Sequence, residues 1–586
     1  MAKFLKHFTP KMWLAVVAIL ALVVGQVYLD LKIPDYMSDI TELLQKNGTV
    51  NDIISCGLKM LALAIASGIL AVIVGYITAR MSATLAKNLR KQTYNKVASF
   101  SPSEINKFSI ASLITRSTND VSQVQQSVAM GLQILLKAPV LAIWAILKIV
   151  NKNWQWSLAT SIAILSIILG VTVILLFAVP HFKKMQRLTD DLNRVTRENL
   201  TGLRVVRAFN AENYMETKFD DANNNLKTSQ LKASYAMSFL NPLMQIVMNG
   251  LSLAIYLIGA HLISNALLPE KITLFSDMVV FFSYAMQVIS ACIMLIIIFM
   301  ILPRATVSFK RIQEVLDVTP SITDGKGAKP TEVGTFKFNN VSFCYQDAKE
   351  PVLKNITFEA KQGEKIAIIG ATGSGKSTII KLLPRLYDVT DGEVLVDGEN
   401  VKNYTIEELH DKIGYISQKP MLMSGTVQTN VAMGKVNGEK VSLDNVKKAI
   451  EYSESQSFVN AMDKTIDAEI YQGGTNVSGG QKQRLSIARA LAREPEILIF
   501  DDSFSALDFK TDLALRRTLN SKLPNSTCVI VTQRVATVKD CDKIVVIDNG
   551  EIVGIGKHFD LLENCKVYKE IALSQLSEEE LNYGKK

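Results

Sequence analysis

The sequence predicts two halves of different chemistry: a membrane domain of six α-helices with long cytoplasmic extensions, followed by an α/β domain. Three observations carry this prediction. Six long apolar runs occupy the first 302 residues, and strand-like and helix-like stretches alternate from Gly334 onward. A glycine-rich loop of the form GxxxxGK[ST] stands between one of those strands and the helix after it. Composition points the same way. Of 586 residues, 48% are hydrophobic and 20% charged, and mean hydropathy is +0.19. A positive mean at this length is unusual for a soluble enzyme and fits several membrane spans.

The spans fall at about 13–31, 55–79, 128–147, 156–179, 237–265 and 278–302. A span needs about 20 residues at 1.5 Å each, which every run supplies, some with a few flanking residues. The first run has no small-residue cleavage site after it and reads as a retained span. Orientation follows from Lys and Arg. The N-terminus carries Lys3, Lys6 and Lys11, and the segments 80–127 and 180–236 are rich in basic residues, Lys183 among them. The first loop is acidic, with Asp35, Asp39, Glu42 and Asp52. The N-terminus and both long segments therefore face the cytoplasm. Those segments contain few Gly or Pro and read as helices running on from the spans. The same rule accounts for the net charge of +9 without a nucleic-acid partner, which six spans exclude.

Residues 1–320 are assigned to the membrane domain and 321–333 to a linker, within a Pro- and Gly-containing stretch that opens at Pro303. Residues 334–576 form the α/β domain and 577–586 a charged tail. Strand-like runs at Thr335–Asn339, Lys365–Ile369, Ile497–Phe500 and Lys543–Ile547 predict a mostly parallel sheet flanked by helices. The six cysteines form no CxxC pair and read as reduced, structural thiols.

The chemistry is concentrated in the second half. Gly370-Ala371-Thr372-Gly373-Ser374-Gly375-Lys376-Ser377 follows the apolar strand Ile366–Ile369 and precedes a helix that opens with Thr378, the context of a P-loop. Glycines let backbone N–H groups close around phosphate oxygens. Lys376 would reach the β- and γ-phosphates, and the Ser377 hydroxyl would ligate Mg²⁺. Ile497-Leu498-Ile499-Phe500-Asp501 is an apolar strand ending in a carboxylate, which at the strand's exposed tip would hold Mg²⁺ through water. Between them, Ser478-Gly479-Gly480-Gln481 stands ahead of a helix, a second N-terminus suited to anions, though alone it could be a turn and cap.

In this order and spacing the motifs resemble the ATP-binding cassette (ABC) superfamily, with Ser478–Gln481 as the signature. The resemblance implies a six-helix membrane domain fused to an α/β P-loop ABC ATPase domain, the layout of an exporter half-transporter, with ATP and Mg²⁺ as cofactors. It also implies that Tyr345 stacks on adenine, that Gln418 senses Mg²⁺ and the membrane domain, and that Ser505-Ala506-Leu507-Asp508 is the D-loop. Segments 112–121 and 198–209 are similar to the two intracellular loops of exporters.

Two positions depart from the family. The residue after Asp501 is normally Glu, and here Asp502 is one methylene shorter. Its carboxylate sits about 1.5 Å back, and a misplacement near 1 Å can cost roughly a hundredfold in rate. Gln533 stands at the switch-histidine position, where it can donate a hydrogen bond but cannot become a cation. Both together describe a site that binds ATP and hydrolyses it poorly. Cassettes pair head to tail, so the signature would complete the site of a partner half-transporter that supplies its own Glu and His. The closest resemblance is to the weak subunit of heterodimeric bacterial multidrug exporters, placing the chain in the plasma membrane with its ATPase domain cytoplasmic. A homodimer with two slow sites, a lipid flippase and an ATP-gated regulator stay open. Cargo is little constrained by the sequence. Lys137, inside span three, either lines a cavity or meets an interhelical partner. The Met and Phe residues of spans five and six, Met278, Phe281, Phe299 and Met300 among them, suit either an adaptable small-molecule surface or plain helix packing.

Overall fold

The computed structural model describes residues 7–45, 48–150, 152–346, 348–436 and 438–577. Lys3, Lys6 and nearly all of the 577–586 tail lie outside the described residues, as do the side chains of Lys183, Phe299 and Met300. The chain divides into two compact units, Met1–Lys96 with Ile114–Asp317 and Val97–Leu113 with Val318–Lys586.

The first unit is helical. Its long elements are α1 (Pro10–Gln45), α2 (Val50–Ala98), α5 (Asn119–Val150), α6 (Trp154–Thr201), α8 (Glu212–Ser238), α9 (Leu240–Asn265) and α10 (Leu268–Leu316). Short helices α3 (Pro102–Phe108), α4 (Ile110–Ser117) and α7 (Leu203–Ala208) break the sequence of long ones. Among the described residues, six helical stretches are long and apolar enough to cross a membrane. With 49 residues, α2 is about 74 Å long, more than twice the ~30 Å hydrocarbon core. The spans thus run on into the long basic segments as helix, α2 to Ala98 and α6 to Thr201, and only short helices interrupt those segments at their middles. One expectation needs correcting. Pro303 does not open a linker: it lies inside α10, which runs to Leu316. Pro34, Pro139 and Pro180 also sit within helices. Spanning helices tolerate proline because neighbouring groups re-satisfy the freed carbonyl.

The core of this unit forms where α1, α5, α6, α9 and α10 meet, around Ile19, Val23, Leu141, Trp156, Ile255 and Phe281. Met278 and Phe281 are buried there, and a Cβ on Gly259 would come within 2.3 Å of the Met278 sulfur. These two residues serve helix packing. Lys137 has an interhelical partner: its Nζ donates to Asp30 Oδ2 on α1 at 3.3 Å, and Ser67 Oγ of α2 donates to Asp30 Oδ1. Nearer the outer ends of the same helices, Lys148 pairs with Asp35 at 3.0 Å, and the Tyr284 hydroxyl donates to the same carboxylate. From the end of α6 to the start of α8, Leu200, Leu203, Val205, Phe209 and Tyr214 are exposed, and α7 buries no residue.

The second unit holds two main sheets, beside short two-stranded pairs at 425–426 with 469–470 and 435–436 with 439–440. An antiparallel one has the order β2 (Leu353–Ala360), β1 (Phe336–Phe343), β4 (Asp391–Val396), β5 (Glu399–Asn400). The larger sheet has the order β10 (Glu551–Gly556), β9 (Lys543–Asp548), β3 (Lys365–Ile369), β8 (Thr527–Val531), β7 (Ile497–Asp501), β6 (Ile413–Ile416). All its pairs are parallel except β9 with β10. Every residue of β7 and β8 is buried, as expected for unbroken apolar runs in a parallel sheet covered on both faces. Register aligns Asp501 with Val531 and Val531 with Ile368, so the functional strand ends finish together.

Residues 97–113 belong with this second unit, although the sequence reading placed them in the membrane domain. Glu104 explains the placement. Its Oε2 accepts from Ser101 N at 2.7 Å within a capping box, and its Oε1 accepts from Ser321 N at 3.0 Å. Burial alone would raise its pKa, but the hydrogen bonds from Ser101 and Ser321 outweigh burial and hold the carboxyl below its ordinary value.

Candidate active site

The loop after β3 turns into α11 (Lys376–Leu382) through two glycines in left-handed conformation, Gly373 at φ +84° and Gly375 at φ +103°. Side chains other than glycine rarely adopt these angles. At the loop's entrance, a Cβ on Gly370 would come 2.1 Å from Ile547 O, so only glycine lets the loop pass β9. The loop borders a cavity of about 240 Å³ lined by Thr372, Gly373, Gly375, Lys376, Ser377, Thr378, Gln418, Asp501, Asp502 and Gln533, with Val352, Val531 and Thr532. Most residues singled out in the sequence thus converge on one concavity.

Lys376 is 7% exposed, and its Nζ donates to Gly370 O at 2.8 Å and Ala371 O at 2.5 Å. Burial pushes its pKa down, with the charges of Asp502 and Asp501 opposing the shift. Ser377 Oγ donates to Asp501 Oδ1 at 3.0 Å, and the Tyr415 hydroxyl donates to Asp501 Oδ2 at 3.1 Å. Asp501 is not at an exposed tip: it is 5% exposed, with β8 paired to β7 through Asp501 and β6 through Phe500. Burial and the Asp501 charge push the Tyr415 phenol well up, which keeps it a donor.

Asp502 follows with a left-handed backbone at φ +48°, rare outside glycine but tolerated by Asp. Its N–H donates to Val531 O at 2.9 Å, and Gln418 Nε2 lies 3.5 Å from its Oδ2. Burial, reinforced by the Asp501 charge, raises its carboxyl pKa against the opposing effects of Gln418, Ser505 and Arg534. The Gln533 side-chain oxygen is 3.5 Å from Thr372 Oγ1, and its backbone oxygen accepts from Gln575 Nε2 at 2.6 Å. Tyr415, Thr532 and Gln575 are the residues sequence reasoning missed. Tyr415 could have been found as an aromatic on the strand beside β7, whereas Gln575 carried no local signal.

Two expected participants stand elsewhere. Tyr345 lines a separate cavity of about 120 Å³ with Ser103, Phe343 and Tyr387. Its ring meets Tyr387 edge-on at 5.3 Å, and its hydroxyl is 3.1 Å from Thr378 Oγ1. Ser478 is the N-cap of α12 (Gly479–Leu491): its Oγ accepts from Gln481 N, and Gln481 Oε1 accepts from Ser478 N at 2.9 Å. Gly479 and Gly480 open that helix, and none of the four lines the Lys376 cavity.

The donor set fits a nucleoside triphosphate with a divalent cation. The buried Ser374 hydroxyl has no hydrogen-bond partner among the described residues, and the loop adds a buried ammonium and the Thr372 hydroxyl. Among the described residues no group of three or more His, Cys, Asp or Glu side chains is placed to hold a metal. A cation at Ser377 and Asp501 would therefore draw its other oxygens from phosphate and water, the habit of Mg²⁺.

Known proteins share this layout. A family model for the ABC transporter transmembrane region matches residues 14–292, and one for the ABC transporter matches 353–505. An uncharacterized ABC transporter ATP-binding protein of Mycobacterium tuberculosis is 35% identical over 550 residues, 93% of each chain. An ATP-dependent lipid A-core flippase of Aliivibrio fischeri is 28% identical over 521 residues, 87% of each chain. A multidrug resistance ABC transporter ATP-binding and permease protein of Lactococcus lactis is 28% identical over 518 residues, 88% of this chain and 86% of that one. The solved structure of a bacterial Atm1-family ABC exporter with ATP bound has the same fold, with a TM-score of 0.78 at 22% identity, covering 97% of this chain and all of that one. With a P-loop cavity behind six spanning helices and a relative matched almost end to end, the chain belongs to the ABC transporters, as an exporter half-transporter whose membrane region and ATPase domain share one polypeptide.

Proposed function

We propose that this chain is one subunit of a heterodimeric, ATP-driven exporter of hydrophobic or amphipathic compounds, and that its own P-loop site is catalytically weak. The observation that carries the reading is the pairing of Asp502 and Gln533 on the wall of the Lys376 cavity. In this reading Lys376, Ser374 and the loop N–H groups hold the phosphates. Ser377 and Asp501 hold Mg²⁺, with Gln418 beside them, and the cation supplies charge neutralisation at the phosphates. Tyr345 must turn from Tyr387 to stack on adenine. Asp502 is short for aligning water on the terminal phosphate, and its nearest side-chain amide, Gln418, gives no proton relay. Gln533 can orient a phosphate oxygen but offers it no positive charge. Ser478, Gly479, Gly480 and Gln481 lie outside this cavity and would complete a site on the partner's nucleotide.

The test is steady-state ATPase of the chain co-purified with its partner from native membranes. Ser478→Ala is expected to lower turnover at least about a hundredfold, as loss of a single preorganised donor can. Asp502→Asn is expected to change it less than about twofold, because a carboxylate already out of reach has little left to lose. Turnover that stops in Asp502→Asn would make Asp502 a working base and end the weak-site reading. Robust ATPase from the chain alone would favour a homodimer. Lipid is the alternative cargo, since the relatives named as multidrug transporter and as lipid flippase are equally identical to this chain. Uptake of a dye against a labelled lipid into inside-out vesicles separates the two.

A further inference from the structure

Within the membrane unit, α1, α5 and α10 enclose an apolar cavity of about 260 Å³ that neither the nucleotide site nor the cargo reading uses. Val124 and Ile298 line it and are 2% and 8% exposed, while Trp13, Leu135 and Leu302, also in its lining, are 45%, 48% and 38% exposed. It is thus closed on one side and open on another. Its two side-chain hydroxyls are already spent on their own helices: Ser127 Oγ donates to Gln123 O, and Thr306 Oγ1 to Leu302 O, each at 2.8 Å. The indole N–H of Trp13, at the exposed mouth, is the remaining side-chain donor of an otherwise apolar wall, and such a wall favours hydrocarbon. An apolar cavity of about 150 Å³ holds one benzene ring, so this one has room for about ten carbons.

Its place in the chain says which hydrocarbon. Phe8, Trp13 and Val16 lie at the cytoplasmic end of α1, and Ala305 and Phe309 on the cytoplasmic side of α10. Lys11 and Arg304, each within one helical turn of lining residues, are exposed. Two cations beside a hydrocarbon slot at the inner membrane surface match a lipid with an anionic phosphate headgroup. We propose that this cavity binds one acyl chain of an anionic phospholipid from the cytoplasmic leaflet. The site is separate from the ATP machinery and does not depend on what the pump exports.

Gly131 supplies the test. It lines the cavity, and a Cβ there would have no heavy atom within 4 Å, so Gly131→Leu fills the slot without a clash at its first carbon. The full-length protein is placed in phosphatidylcholine nanodiscs doped with phosphatidylglycerol that carries a diazirine along one acyl chain. After illumination, adducts are mapped by mass spectrometry. Adducts on residues 124–135 and 298–309 are expected to exceed those on exposed span residues such as Ile65, Ile69, Leu165 and Leu169 by about tenfold. Gly131→Leu and Ala305→Leu should each remove that excess, and a phosphatidylcholine probe should show less of it. Adducts spread evenly over exposed apolar positions would overturn the proposal, and this wild-type map decides even if neither variant folds. An excess that survives both substitutions would also overturn it. Displacement by a cationic dye such as ethidium would instead make the cavity a cargo site and sink the lipid assignment.

Discussion

Two lysines drawn away from solvent, half-buried Lys137 in the membrane unit and buried Lys376 in the P-loop, show how differently a protein can hold a charge. Lys137 meets the carboxylate of Asp30, which a serine hydroxyl also contacts, so its charge is cancelled within the chain. Among the described residues, Lys376 donates to the carbonyl oxygens of Gly370 and Ala371 alone, while the nearby carboxylates act through space. Carbonyl dipoles can be exchanged for phosphate oxygens at small cost. An ion pair cannot be opened in hydrocarbon without stranding Asp30. Burial alone therefore does not identify a functional lysine. Neutralisation does: the charge without a counter-ion is the one available to a ligand.

The largest expected effect is on Lys376. Lys376→Met should weaken binding of a fluorescent ATP analogue by about a hundredfold, the scale of losing charged hydrogen bonds, and leave the melting temperature nearly unchanged. Unchanged affinity would remove Lys376 from the phosphate site. For Lys137 the pattern should invert. Lys137→Met should cost about 2 kcal/mol of stability, read as thermal unfolding in detergent, while ATP affinity stays put. Adding Asp30→Asn should recover most of the loss; failure to recover would mean that the pair is not the source of that stability. The smallest effect sharpens the comparison. Because burial lowers the Lys376 pKa, part of the population loses its proton at a lower pH than an ordinary lysine. Contact with anionic phosphate must raise that pKa again, so ATP binding should take up a fraction of a proton, growing as pH rises toward the ordinary lysine range. Calorimetry in two buffers of different ionisation enthalpy reads this uptake, which Lys376→Met should abolish.

Much of this architecture is written locally. Spans, P-loop, β7 and the signature helix each rest on fewer than about 25 neighbouring residues, so periodicity and motif spacing reach them. What escaped is long-range. Nothing around Asp30 announces that Lys137, on another span, will face it. Nothing near Pro303 tells that the helix continues, since context within a membrane overrides the usual penalty. The adenine assignment for Tyr345 came from its motif, yet its ring packs on Tyr387, on a different segment, as well as on its neighbour Phe343. Gln575 reaches Gln533 from beyond the last strand, a contact no motif encodes.

The grouping of residues 97–113 with the ATPase unit has a consequence for the order of assembly during synthesis. Glu104 leaves the ribosome roughly 220 residues before Ser321, an interval of roughly 10–45 s at the usual elongation rate. Four of the six spans are made within that interval. The cytoplasmic domain thus cannot become whole until most of the membrane domain has been threaded into the bilayer. A polypeptide starting at Val318 would lack a docking piece that the intact chain makes early and holds in waiting.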